Sequence, residues 1–150
     1  MLNNNKKWSL AQAILLLSIL FLPFKINMHL PNVIRYLGIS FIFIGIGLAS
    51  YAITSLKSNL KPSPRPRVGG FLITTGLYGI VRHPAYSGIV IAALGYSLWT
   101  NDAIRCTLTV ALLIFFDFKS SIEEKWLEKK FPEFIDYKKR VTKKFIPGIY

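Results

Sequence analysis

Four apolar runs, residues 8–24, 33–56, 84–99 and 103–118, occupy about half of this 150-residue chain, and the loops between them collect most of its positive charge. Runs of this length leave few folds open. In hydrocarbon each backbone amide must be bonded within the protein, which a helix does by itself, and a stretch near 20 residues matches the roughly 30 Å of a bilayer core. With 52% hydrophobic residues and a mean hydropathy of +0.41, the composition favours a bilayer over water. The expected fold is therefore a single all-α integral membrane domain over residues 1–150, with about four transmembrane helices and a cytoplasmic C-terminal helical extension.

The first run follows Lys6 and Lys7 and has the basic start of a secretory signal. Leu22, Pro23, Phe24 and Lys25 make a poor small-residue cleavage site, so the run reads as a retained span. At about 1.5 Å per residue it reaches roughly 25 Å, and Trp8 and Lys25 extend it by sitting in the interface. In the second run Gly38, Gly45 and Ala49 form a smooth stripe, as Gly88, Ala92 and Gly95 do in the third. Such stripes let helix backbones approach closely. Residues 57–67, KSNLKPSPRPR, form a linker, since three prolines preclude a buried element there.

The net charge of +12 raises the question of nucleic acid, but the basic residues are segregated from the apolar runs and no soluble scaffold presents them. They lie where anionic cytoplasmic lipid attracts charge. Lys6 and Lys7, then Lys57, Lys61, Arg65, Arg67 and Arg82, then nine Lys or Arg from Lys119 onward fall on alternate loops. The positive-inside rule accordingly places both termini and the Arg82 loop in the cytoplasm. Cys106 is the only cysteine, and His29 and His83 are far apart, so neither an intramolecular disulfide nor a metal site is expected. The glycines of residues 69–79 lack the β-α-β setting of a dinucleotide fingerprint.

Residues 69–88 read GGFLITTGLYGIVRHPAYSG and end by starting the third run. Pro84 fits a first helical turn, which places His83 at the helix mouth. Unpaired amides and the dipole there suit a carboxylate or phosphate, Arg82 adds a full charge, and Tyr78 and Tyr86 offer rings for stacking. His-Pro alone reads more readily as an interfacial anchor that turns the chain back into the bilayer.

Residues 119–147 read KSSIEEKWLEKKFPEFIDYKKRVTKKFIP. No breaker separates Phe118 from Phe131, so the fourth span is expected to continue into water as one helix. Lys119 and Glu123 then lie one turn apart, while Glu124 and Glu128 read as solvated partners of nearby lysines. Pro132 is expected to open a short helix with Phe134, Tyr137 and Val141 on one face, either lying on the membrane or closing over a site as a lid.

The order of R-H-P-x-Y-x-G at 82–88, E-E-x-x-L at 123–127, Y-x-x-x-V at 137–141 and Phe145-Ile146-Pro147 resembles the membrane-embedded isoprenylcysteine carboxyl methyltransferase and phospholipid methyltransferase superfamily. The resemblance covers about half the chain, from Leu72 to Pro147. It implies S-adenosylmethionine as cofactor, held by Leu72, Tyr78, His83, Pro84, Ala85 and Tyr86 and closed over by Glu123. It also implies Lys119 at the substrate-facing position, so Lys119 and Glu123 are catalytic candidates, and the charge of Arg82 beside His83 makes it a third, as a cation to position an acidic acceptor. Lys119 stands where carboxyl-methylating members have an arginine, and Gly70 where eukaryotic ones have a histidine, so the cofactor is better supported than the acceptor.

The function so implied is methyl transfer to a lipophilic or amphiphilic acceptor, foremost a carboxylate such as a prenylcysteine-like C-terminus. N-methylation of a phospholipid or small amine, and lipid binding without catalysis, are the alternatives. The expected partners are that lipophilic or prenylated substrate and membrane lipid, with no nucleic acid and no obligate protein partner.

Overall fold

The computed structural model describes residues 2–56 and 70–149, and they are all-helical apart from turns and one isolated backbone bridge. The linker 57–67, with Lys57, Lys61, Arg65 and Arg67, and Gly69 lie outside the described residues. Helix α1 spans Leu2–Phe21. It stops three residues before the apolar run does, because the residue before Pro23 is disfavoured in a helix. Helix α2, Asn32–Leu56, starts as soon as Pro31 is passed, and the Pro31 carbonyl accepts from the amides of Ile34 and Arg35 at 3.0 and 3.3 Å.

A short 3-10 helix, Gly76–Gly79, precedes α3, Pro84–Thr100. Asn101 ends α3 in the left-handed region at φ 56°, and Asp102 at once caps α4 by accepting from the Ile104 amide at 3.0 Å. As expected, α4 runs unbroken over Ala103–Lys130, 28 residues. That is about 42 Å, longer than a bilayer core, so its last turns extend beyond any span. Helix α5, Phe134–Arg140, follows Pro132.

The smooth stripes meet. A Cβ on Gly38 would lie 2.6 Å from the Gly95 carbonyl oxygen, and one on Gly88 would lie 2.5 Å from the Ala49 amide nitrogen. Only hydrogen at these positions lets α2 and α3 touch backbone to backbone. On the other side of α3, Ala93 joins Ile19, Leu112, Phe116 and Phe145 in a buried cluster that ties α1 and α4 to the C-terminal segment.

The end of α1 is fastened to the α3–α4 turn. Arg105 donates to the carbonyls of Ile19 and Leu22 at 2.9 and 3.0 Å and pairs with the wholly buried Asp102, which also accepts from the Ile26 amide at 3.2 Å. Four helices are thereby held as one body at this end, and the other end is left to build a site.

Among the described residues one helix is long and apolar enough to cross a membrane, α2, with a mean hydropathy of 1.9 over its most apolar window. Only 22% of that window is buried. A core helix of a soluble protein would be mostly covered, whereas α2 turns Val33, Tyr36, Phe43 and Tyr51 outward, and Phe118 of α4 is likewise exposed. The expected spans at 8–24, 84–99 and 103–118 are helical over most of their length but do not pass the same test. The first turns of α1 are polar, α3 has 17 residues, and α4 carries the charged segment.

Candidate functional site

Two neighbouring glutamates grip the start of α3 from α4. Glu124 Oε1 accepts from Arg82 Nε at 2.8 Å and from His83 Nε2 at 3.2 Å, and Glu123 Oε2 accepts from Tyr86 Oη at 2.9 Å while lying 3.8 Å from His83 Nδ1. His83 is therefore bracketed by both carboxylates. Consecutive residues on a helix point about 100° apart, so one pair of glutamates can take the two sides of a single imidazole.

The two carboxyls are in opposite electrostatic states. Glu124 is buried, which opposes its charge, yet hydrogen bonds from His83 and Arg82 outweigh burial and hold it down at about 2. Glu123 goes the other way: burial pushes it up against the lowering effects of His83, Tyr86 and Lys119, with Glu124 adding repulsion. Its side chain nevertheless keeps 25% of its surface accessible.

Three rings line up beside Glu123. His83 and Tyr86 are stacked with nearly parallel planes, 5.6 Å between centroids, and Tyr86 stacks on Phe116 at 4.4 Å. Lys119 completes the group, with its Nζ 5.2 Å from the Tyr86 centroid and donating to Gln12 Oε1 of α1. Burial lowers the Lys119 ammonium, and Glu123 partly offsets this. Lys119 and Glu123 thus share an environment without forming a direct ion pair.

Leu72 and Tyr78 approach from the segment before α3. The Tyr78 phenol donates to the Ala52 carbonyl at 3.4 Å, and its own carbonyl accepts from Tyr137 Oη at 2.6 Å. Burial raises the Tyr78 phenol above its usual range, with the carboxylate of Glu123 adding to the effect. Leu72 packs on the cluster of Phe134, Tyr137 and Val141, so α5 sits on the segment leading into the motif. Pro84 is buried at the first position of α3, and Ala85 and Tyr86 follow half-buried.

Two sequence expectations need correction. The helix mouth is occupied by the chain itself: the amides of Arg82 and His83 donate to the carbonyls of Lys143 and Lys144 at 3.0 and 2.9 Å, and Ser87 Oγ donates to the Phe145 carbonyl at 2.7 Å. These amides therefore hold the C-terminal strap in place of an external anion. Glu124, expected to be solvated, is instead the buried partner of Arg82, His83 and Lys138, the last at 3.2 Å. Glu128 does pair with Lys138, at 2.9 Å and half-exposed.

Arg82 is likewise a strut. Besides Glu124, its Nη1 donates to the carbonyls of Val141 and Thr142 at 2.8 and 2.6 Å. Sequence reasoning passed over Gln12, although a lone amide inside an apolar run is a signal in its own right. Nothing in the sequence distinguished Glu124 from the adjacent charges.

The chain belongs to the phospholipid methyltransferase family, whose sequence model matches residues 33–133, some two thirds of its length. Its membership makes it a member of a methyltransferase class that includes enzymes of phospholipids and isoprenylcysteine. It is 28% identical over 158 aligned positions to a protein-S-isoprenylcysteine O-methyltransferase of Schizosaccharomyces pombe, with 93% of this chain and 67% of the relative covered. It is also 29% identical over 114 positions to the cobalt-zinc-cadmium resistance protein CzcN of Cupriavidus metallidurans, covering 75% of this chain and 47% of that protein. The chain thus spans between about half and two thirds of the length of these relatives.

Proposed function

We propose that this chain transfers a methyl group from S-adenosylmethionine to a lipophilic or amphiphilic acceptor, foremost a carboxylate such as a prenylcysteine-like C-terminus. The observation that carries the reading is the convergence of His83, Tyr86, Lys119 and Glu123, from two helices, at one place. A partly accessible carboxylate against a wall of aromatic rings fits a cationic guest with a flat heterocycle. Glu123, His83, Tyr86 and Tyr78, with Leu72, Pro84 and Ala85 as apolar wall, are the residues that would hold the cofactor.

When bound, the cofactor supplies an electrophilic methyl carried on a positive sulfur. The protein's own work is then to position and to keep water out. Tyr86 fixes one oxygen of Glu123, and Glu124 fixes the imidazole of His83 from its far side. Lys119, held by Gln12, is the cation that orients an acidic acceptor. A carboxylate nucleophile needs no base. Arg82, whose Nε and Nη1 bonds are spent on Glu124 and the strap, acts as a positioning residue.

The exposed apolar surface supports a four-span arrangement in which α1, α3 and the first turns of α4 cross beside α2, with the site and both termini in the cytoplasm. A lipid-soluble acceptor then reaches the site sideways, between spans. One observation favours N-methylation of a phospholipid or small amine as a second reading: burial raises Glu123, which makes it a better proton acceptor for an ammonium group.

Titration of the purified protein with labelled S-adenosylmethionine tests the common part. Absence of binding at millimolar cofactor leaves a lipid-binding protein. Product chemistry then separates the acceptors, because a methyl ester releases methanol in mild base and an N-methyl group does not.

A further inference from the structure

On the other side of Glu124 from the rings lies an open cleft of about 470 Å³. Arg82, Lys125, Lys138, Lys143 and Lys144 line it together with Glu124 and Glu128, so basic side chains outnumber acidic ones. Tyr86, Lys119 and Glu123 are not among its lining residues, so it adjoins the candidate cofactor site, with Arg82 and Glu124 between the two. Its volume is that of a small-molecule pocket.

The glutamates do not neutralise it. Glu124 is consumed by Arg82, His83 and Lys138, and Glu128 by Lys138. Lys125 is exposed and has no hydrogen bond or ion pair among the described residues. Arg82 is the more telling case. Its side chain is 92% buried, its Nε and Nη1 are engaged, and Nη2 makes no hydrogen bond among the described residues. No fully buried side-chain nitrogen or oxygen among the described residues lacks a partner, so Nη2 is not fully buried, and Arg82 is one of the residues that line the cleft.

An arginine held through Nε and Nη1, with Lys125 beside it and Lys143 bonded, among the described residues, only to the Ile149 carbonyl at 3.2 Å, offers a preorganised donor to an oxyanion. One apolar side chain stands among the basic ones, since Ile149 lines the cleft and is exposed. An amphiphile with an anionic head matches both features better than a free anion does.

We propose that this cleft binds the phosphate monoester head of an anionic membrane amphiphile, with Arg82 Nη2, Lys125 and Lys143 as its donors and Ile149 against its apolar part. The bound molecule is a resident lipid and not the methyl acceptor. The inference stands on the cleft and does not depend on methyl transfer.

Dihexanoyl phosphatidic acid titrated into the protein in maltoside detergent tests it, with dihexanoyl phosphatidylcholine, glycerol phosphate and inorganic phosphate as comparisons. Saturable binding of phosphatidic acid is expected, tighter than that of the other three. The double variant Lys125→Glu, Lys143→Glu should weaken it at least about tenfold, since charged hydrogen bonds are lost. The variant Lys129→Glu, Lys130→Glu makes the same charge change on α4 residues outside the cleft and should have little effect. Equal binding of phosphatidylcholine, or an equal loss in both double variants, overturns the site. Glycerol phosphate binding as tightly as phosphatidic acid overturns the lipid assignment in favour of a soluble phosphate.

Discussion

His83 Nε2 lies 3.2 Å from Glu124 Oε1, and that carboxylate oxygen also takes the Nε of Arg82 at 2.8 Å. The contact joins α4 to the residue before α3, and Arg82 carries it on to the strap that follows α5. Glu124 is therefore the centre of a buried ion network, whereas Glu123, one residue earlier, faces the candidate cofactor site.

From this division two neighbouring substitutions should have different consequences. Glu124→Ala leaves the Arg82 guanidinium buried without its counter-charge and should cost about 3–5 kcal/mol of stability. Glu123→Gln retains the size of the side chain and removes a carboxyl that burial already disfavours as an anion, so it should unfold close to the parent. Denaturant melts in detergent, followed by helicity, measure both. Equal losses would contradict the assignment of Glu124 as the structural member of the pair.

Cofactor affinity should follow the opposite pattern. A carboxylate that meets a sulfonium distinguishes it from the neutral thioether left after methyl transfer. Glu123→Gln is expected to weaken S-adenosylmethionine at least about tenfold and S-adenosylhomocysteine much less, whereas His83→Ala should weaken both. Calorimetric titration with the two nucleotides reads the difference. Unchanged affinity for both nucleotides in Glu123→Gln and His83→Ala would mean that the pocket is elsewhere.

The pH dependence follows from the same two carboxyls, with opposite signs. The Glu124 carboxyl in the folded protein, at about 2, lies below the unfolded value near 4.3. Its stabilisation is fully present above that unfolded value and is lost as pH falls toward about 2, a change on the order of 3 kcal/mol. Glu123 is raised, so its protonation in the folded protein begins above the ordinary glutamate range. On acidification, S-adenosylmethionine affinity should therefore decline before the fold does. Melting and titration series over the same pH steps test the order of the two events.

Much of the fold could be read in advance because apolar length and proline positions act locally. The start of α3 at Pro84 and the unbroken α4 are each decided by a few adjacent residues, whereas the first span is expected to run to residue 24 and α1 stops at Phe21, ahead of Pro23. The meeting of His83 with Glu123 was legible only from motif order, since 40 residues separate them. What stayed hidden depended on tertiary placement. Glu124 looks like any charge in EEKWLEKK until Arg82 and Lys138 close around it, and the helix mouth looks open until residues 143 and 144 fill it. Gln12 becomes intelligible only once α1 is seen beside Lys119.

Gly88 closes the R-H-P-x-Y-x-G motif, and its position explains it without any ligand. A Cβ there would come within 2.5 Å of the Ala49 amide and 2.7 Å of the Gly45 carbonyl oxygen, both backbone atoms that cannot turn aside. Gly88→Ala must therefore separate α2 from α3, moving the start of α3 that carries His83 and Tyr86. Overpacking of this kind costs about 1–3 kcal/mol. Gly47 supplies the comparison on the same helix pair, because a Cβ there meets nothing within 4 Å. Gly47→Ala should stabilise by up to about 1 kcal/mol through reduced backbone freedom in the unfolded chain. Thermal melts of the two alanine variants should move in opposite directions, and cofactor affinity should fall only for Gly88→Ala. A parent-like melt for Gly88→Ala would show that α2 and α3 do not pack backbone to backbone at this point.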